Sequence, residues 1–326
     1  MILLGLDGAT LSVIEPWVES GRLPTFQRLL DESVSGELES TIPEITVPAW
    51  PAFATGRDPT RLDMYGFTHF NRETHENDLS HDEFVPGKMW DAVDDQGGSA
   101  VVFNIPGSYP WQAIDGAIIA AAPEYKEEYA HPPERWEELT DLVDGYKLRN
   151  DAPTDSRRYV EQSLDLVEKR FDGFEHFVRD ESPDLAVGLI RATDRVAHHF
   201  WGSESTPPAS EENPLFEVYQ RVDERLGEFL DAHEDEDIVV MSDHGFEKVR
   251  KQFAPNYVLE RAGLVALTDS GNATKAAMGT ARDLASDTLG KVGLLTLARK
   301  VVPESTLTDV PTGDNLGLDN ALSMGR

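Results

Sequence analysis

Three short apolar runs, far apart in the chain, end the same way. Residues 2–7 read ILLGLD, residues 184–194 read DLAVGLIRATD, and residues 237–243 read DIVVMSD. Runs this short are bounded too tightly for buried helices, and they lack the alternation of a strand with one wet face. They suit strands covered on both faces, which belong to parallel sheets flanked by helices. Amphipathic stretches at 23–33, 87–97, 156–180 and 214–233 supply those helices. Residues 99–107 and 117–122 read as further strands, and SGELES at 35–40 as a short one. ITVPAWPAFATG (45–56) reads as a helix that starts near Pro48 and stops at Gly56. Strands alternating with helices predict an α/β chain with a doubly wound, mostly parallel central sheet and helices on both faces.

The remaining segments break that rhythm. Residues 57–86 are irregular, polar and rich in His and acids, and read as an insert. Residues 123–155 are polar, contain Pro132-Pro133, and read as a second insert or small cap. Residues 265–314 are polar and rich in Ala and Gly, with an apolar helix at 290–302. There is no internal repeat. A single catalytic domain over 1–326 is expected.

Composition narrows the partners. Acids outnumber bases 60 to 29, for a net charge of −31. Nucleic-acid polymers and anionic membrane surfaces both select basic patches, so neither is expected. The acids are spread along the chain and the bases are mostly arginine, as in proteins adapted to high salt, where screening removes self-repulsion. With no cysteine, disulfides and thiolate chemistry are excluded. No apolar run reaches membrane-spanning length. MILLGLDGA at the start lacks a charged leader and already reads as a core strand, so a cytoplasmic location is expected.

The strand ends carry the chemistry. In open α/β sheets the ligand crevice lies beyond the carboxyl ends of the strands. The three runs deliver Asp7, Asp194 with His198, and Asp243 with His244 to that edge. If a helix begins near Thr193, Asp194 and His198 are i and i+4 and share one face. His199, one residue further on, points about 100° away. Asp243 and His244 diverge on a regular strand, but in a turn they can reach one ion from two sides. A lone Asp after a strand is an ordinary helix cap or turn former; three such ends together point to a metal site. Oxygen and nitrogen donors without sulfur suit Zn²⁺, Mn²⁺ or Mg²⁺. Thr46 supplies a hydroxyl just before a helix N-terminus, where amides and the dipole favour an anion. Metal coordination would lower its pKa enough to make it a nucleophile; its plainer role is a helix cap.

The order Asp7, Thr46-x-Pro48, Asp194-x-x-x-His198, Asp243-His244-Gly245 resembles the alkaline phosphatase superfamily. GLDGAT, ITVPAWPAFATGRDPT and MSDHGF are similar to its type I phosphodiesterase/nucleotide pyrophosphatase branch, and there to phosphohydrolases of bacteria and archaea; with the salt-adapted composition, a halophilic archaeal origin is expected. The similarity covers residues 1–256. It implies that Asp7, Thr46, Asp243 and His244 hold one metal, that Asp194 and His198 belong to a second, and that both are divalent cations, zinc first. It further implies that Thr46 attacks phosphorus to give a phospho-threonine, which water then hydrolyses, on a small phosphorylated substrate.

Two departures stand out. The family completes its second metal with a third His near the C-terminus, but no His follows His244, and the ending ALSMGR resembles the beginning of a further segment. A shortened C-terminal part and an incomplete second site are therefore expected, with His69, His75 and His81 as substitute ligands. Pyrophosphatases of the eukaryotic type carry Asn three residues after the nucleophile; here Ala49 stands there, followed by Trp50. The alternatives on this fold are a phosphotransferase or phosphomutase, or a degenerate metal-binding homologue without activity.

Overall fold

The computed structural model describes residues 1–71, 73, 77–80, 84–121, 129–202, 207–249 and 259. The chain divides into two compact units, Met1–Lys248 and Val249–Arg326. All elements below belong to the first. The helix expected at 290–302, His75 and His81 lie outside the described residues.

Among the described residues the central sheet has six strands: β1 (Ile2–Leu6), β4 (Ala100–Phe103), β5 (Gly116–Ile119), β6 (Ala130–His131), β7 (Leu185–Ile190) and β8 (Ile238–Met241), in the order β6-β5-β4-β7-β1-β8. Every pairing is parallel except β5 with β6. Alternation along the strands splits the core in two. Ile2, Leu4, Leu6, Val101, Phe103, Ala186 and Ile190 face α1 (Leu11–Glu19), α2 (Pro24–Glu32), α7 (Arg157–Glu181), α8 (Ala192–Phe200) and α9 (Pro214–Ala232). Leu3, Ala100, Val102, Val187 and Leu189 face the opposite way, against Trp50 of α3 (Thr46–Thr55) and Trp90 of α5 (Met89–Asp94). Helices thus cover both faces of β1, β4 and β7, as continuous apolar strands require, whereas among the described residues β8 is only partly buried, with Val239 45% exposed.

Several local expectations change. Residues 34–41 form no strand; Val34 is 104% exposed and Leu38 67%, so this stretch has no ladder partner and no face to bury. The 57–86 segment is more ordered than its composition suggests. It holds α4 (Pro59–Leu62) and a hairpin of β2 (Thr68–Phe70) with β3 (Asn77–Leu79), in which His69 faces Asp78. The 123–155 segment contributes the antiparallel edge strand β6 and α6 (Glu134–Leu142). Helix α3 begins at Thr46 itself rather than near Pro48, and α1 was not legible because Pro16 interrupts its pattern.

Candidate active site

Strand β1 lies between β7 and β8, so the residues that follow these three strands meet at one edge. Asp7 follows β1 and its amide donates to Ile190 O at 3.0 Å. Asp194 sits in the first turn of α8, directly after β7. Asp243 and His244 lie in the irregular segment after β8. Asp7, Asp194 and Asp243 are all buried, at 0%, 1% and 6% exposure.

Thr46 reaches this edge because of Trp50. The Trp50 ring occupies the space over Gly5, where an added Cβ would lie 2.3 Å from the ring. Helix α3 runs back from that anchor. Four helical residues rise about 6 Å, and two strand residues about 6.6 Å. Thr46, four before Trp50, therefore comes level with Asp7, two after Gly5. Its hydroxyl donates to Asp7 Oδ1 at 3.3 Å and lies 3.1 Å from His244 Nε2. The His244 Nδ1–H donates to Gly245 O at 2.9 Å, which turns Nε2 toward Thr46. His244 Nε2 is also 3.7 Å from Asp7 Oδ1 and 3.4 Å from Asp243 Oδ2. Asp194 Oδ1 and His198 Nε2 are 3.2 Å apart, one helical turn from each other as their spacing requires. His199 points elsewhere, with its ring edge-on to Tyr159.

Among the described residues, Asp7, Asp194 and His244 offer ligand atoms that all lie within 4.8 Å of one another. Asp194 is 3.2 Å from His198 and also within 4.8 Å of the ligand atoms of Asp7 and His244, so the two ligand sets expected from the sequence abut. Burial, then the charge of Asp194, holds the Asp7 carboxyl above its ordinary range. Burial, then Asp7, pushes Asp243 up to about 8. Burial opposes the charged form of His244, but Asp243 and Asp7 outweigh it and raise its pKa. Burial pushes Asp194 up as well, yet the His198 hydrogen bond and charge win and hold it below the usual carboxylate range.

Other residues support the site without an obvious sequence signal. Gly8 donates its amide to Asp243 Oδ1 at 3.2 Å and has a φ of 62°. A Cβ there would lie 3.0 Å from Asp194 Cβ, so only glycine lets β1 and α8 approach this closely. The Thr193 hydroxyl donates to Asp7 O at 2.5 Å, and Arg191 Nε donates to Asp7 Oδ2 at 3.4 Å. Ser40 donates to Asp243 O at 2.6 Å, and Ser242 to His244 O at 2.7 Å. The glycine after Asp7 is the one cue that sequence reading could have used.

The sheet order, the helices on both faces and the likeness to solved structures define an alkaline-phosphatase-like fold. Solved structures of phosphonoacetate hydrolase from Sinorhizobium meliloti 1021 share it. The complex with phosphonoformate has a TM-score of 0.56 at 18% identity, over 80% of this chain and 61% of that one. The complex with phosphonoacetate gives 0.58 at 17%, over 81% and 62%. Murine ectonucleotide pyrophosphatase/phosphodiesterase 5 gives 0.45 at 13%, over 75% and 57%. This chain therefore spans under two thirds of those proteins' lengths. No curated protein matches it by sequence. It belongs to the type I phosphodiesterase / nucleotide pyrophosphatase family, whose model matches residues 1–299. No helix among the described residues is long and apolar enough to cross a membrane.

Proposed function

We propose that this protein is a metal-dependent phosphohydrolase that splits small phosphoesters through a phospho-threonine at Thr46. The observation that carries the reading is the Thr46 hydroxyl at the first position of α3, 3.3 Å from Asp7 and 3.1 Å from His244 at the edge of a carboxylate cluster. The donor set fits a divalent cation. Asp243 Oδ2 is buried with no hydrogen-bond partner among the described residues, and three buried carboxylates at one point repel one another unless a cation joins them. Asp7, Thr46, Asp243 and His244 would hold one cation, with Asp194 and His198 toward a second; zinc suits them best, with manganese or magnesium as alternatives. When bound, such cations supply Lewis acidity that offsets phosphoryl charge and lowers the threonine hydroxyl's pKa.

The chain's own groups do the rest. Thr46 Oγ forms the bond to phosphorus as the ester oxygen leaves on the opposite side. Its proton has an acceptor in reach in Asp7 Oδ1, to which the hydroxyl already donates at 3.3 Å. The α3 N-terminus faces the transferred group with the positive end of its dipole. Water then attacks phosphorus and restores the hydroxyl, releasing phosphate from a monoester or the remaining monoester from a diester, so one water is consumed per ester bond. The test compares a chromogenic phosphodiester, a phosphomonoester and phosphonoacetate in molar salt with Zn²⁺ or Mn²⁺. Expected is turnover that chelator abolishes and metal restores. Turnover indifferent to chelator, or undiminished in Thr46→Ala, would reject the reading.

A further inference from the structure

We propose that Arg191 is a substrate-binding residue whose guanidinium fork grips the non-bridging oxygens of the phosphoryl group beside Thr46. This rests on the reading of Thr46 as the nucleophile. Arg191 is the turn residue between β7 and α8, at the carboxyl edge of the sheet. It anchors by Nε alone, to Asp7 Oδ2 at 3.4 Å. The other oxygen of the same carboxylate is 3.3 Å from Thr46 Oγ. The guanidinium and the nucleophile thus sit on the two oxygens of one carboxylate, which places the fork near a phosphoryl group about 3–3.5 Å from the attacking oxygen.

The unused donors point the same way. An arginine carries five N–H groups in a rigid fork. Among the described residues, Nη1 and Nη2 of Arg191 have no hydrogen-bond partner. Neither atom is buried and orphaned, and the side chain keeps 17% of its surface open. Elsewhere in this acidic chain, terminal guanidinium nitrogens find carboxylates, as in Arg22, Arg28, Arg135, Arg157, Arg221 and Arg225. Arg195, one turn further along α8, adds a second guanidinium that favours negative charge on Asp7 and Asp194. Nε held on Asp7 restrains the fork and leaves its two terminal nitrogens for bidentate contact with phosphoryl oxygens. A substrate with at least two non-bridging oxygens on phosphorus, as in a monoester or phosphonate as well as a diester, satisfies both.

The test titrates inorganic phosphate into zinc-loaded wild type, Arg191→Met and Arg191→Lys, and separately titrates zinc into each metal-stripped protein. Loss of a charge-assisted bidentate pair should weaken phosphate by about 10- to 100-fold in Arg191→Met. Arg191→Lys should recover part of it, since the charge remains and the fork does not. Zinc affinity should hold or rise, because a positive charge near the cation has been removed. Phosphate affinity within twofold of wild type overturns the proposal. So does a parallel loss of zinc and phosphate, which would make Arg191 a support for Asp7 instead. If Arg191→Met does not fold, Arg191→Lys decides, with unchanged phosphate affinity refuting. A wild type that neither binds zinc nor hydrolyses esters removes the underlying function as well; one that does both while Arg191→Met binds phosphate normally removes this inference alone.

Discussion

Gly8→Ala tests whether the approach of β1 to α8 builds the site. The residue has a φ of 62°, which costs alanine about 1–2 kcal/mol. The new methyl would also sit 3.0 Å from Asp194 Cβ, 3.1 Å from its Oδ1 and 3.3 Å from its Cα. Asp194 is buried in the first turn of α8 and paired with His198, so it has no free rotamer to retreat to. Overpacking of this kind costs about 1–3 kcal/mol. The total is about 2–5 kcal/mol, or a melting temperature lower by roughly 5–15 °C for a domain of this size. Gly21→Ala is the control: its φ is 73° but no atom lies within 4 Å of the added Cβ. It should lose only about 1 kcal/mol. Thermal unfolding read with steady-state hydrolysis separates the two. Gly8→Ala should lose activity as Asp194 shifts and the amide bond to Asp243 lengthens, while Gly21→Ala keeps it. Equal melting temperatures with full activity in both would refute the reasoning.

Four further outcomes are expected. Thr46→Ala should lower turnover at least about 1000-fold with little change in melting temperature; measurable residual turnover near wild type removes Thr46 as nucleophile. Asp223 of α9 accepts the amides of Thr25 and Phe26 at 3.1 and 2.8 Å, capping α2 from another helix where Leu23 has no side-chain cap. Asp223→Ala should cost about 2–3 kcal/mol by urea denaturation yet leave activity per folded molecule intact; an unshifted urea midpoint would contradict the cap. In metal-stripped protein the folded state keeps the Asp243 proton that the unfolded chain has lost, so stability should fall as pH rises from the ordinary carboxylate range to about 8, and excess Zn²⁺ should flatten that slope; a stripped protein with no slope there argues against the carboxylate cluster. At a net charge of −31, raising KCl from 0.1 M to about 2 M should raise the melting temperature as the screening length shrinks; a salt-independent melt would mean that self-repulsion is not limiting.

Apolar runs free of alternation read as strands, two-sided in β1 and β7 but only partly buried in β8, and that local pattern is enough to place Asp7, Asp194 and Asp243 at carboxyl ends of a parallel sheet. Periodicity reports which face of an element is buried, so the helices at 23–33, 156–180 and 214–233 were legible to within a few residues. It does not report which strand lies beside which. That β1 sits between β7 and β8, and so gathers the three acids, is a property of the sheet order. The same limit hid Arg191, Thr193 and Ser40, whose partners are 184, 186 and 203 residues away. It also hid the edge strand β6, whose few residues carry no pattern until β5 offers them a ladder. Residue types and their order along the chain are written locally. The distances at which Thr46, Asp7 and His244 meet are set by Trp50 over Gly5 and by Gly8 against Asp194, contacts that exist only once the sheet and its helices have packed.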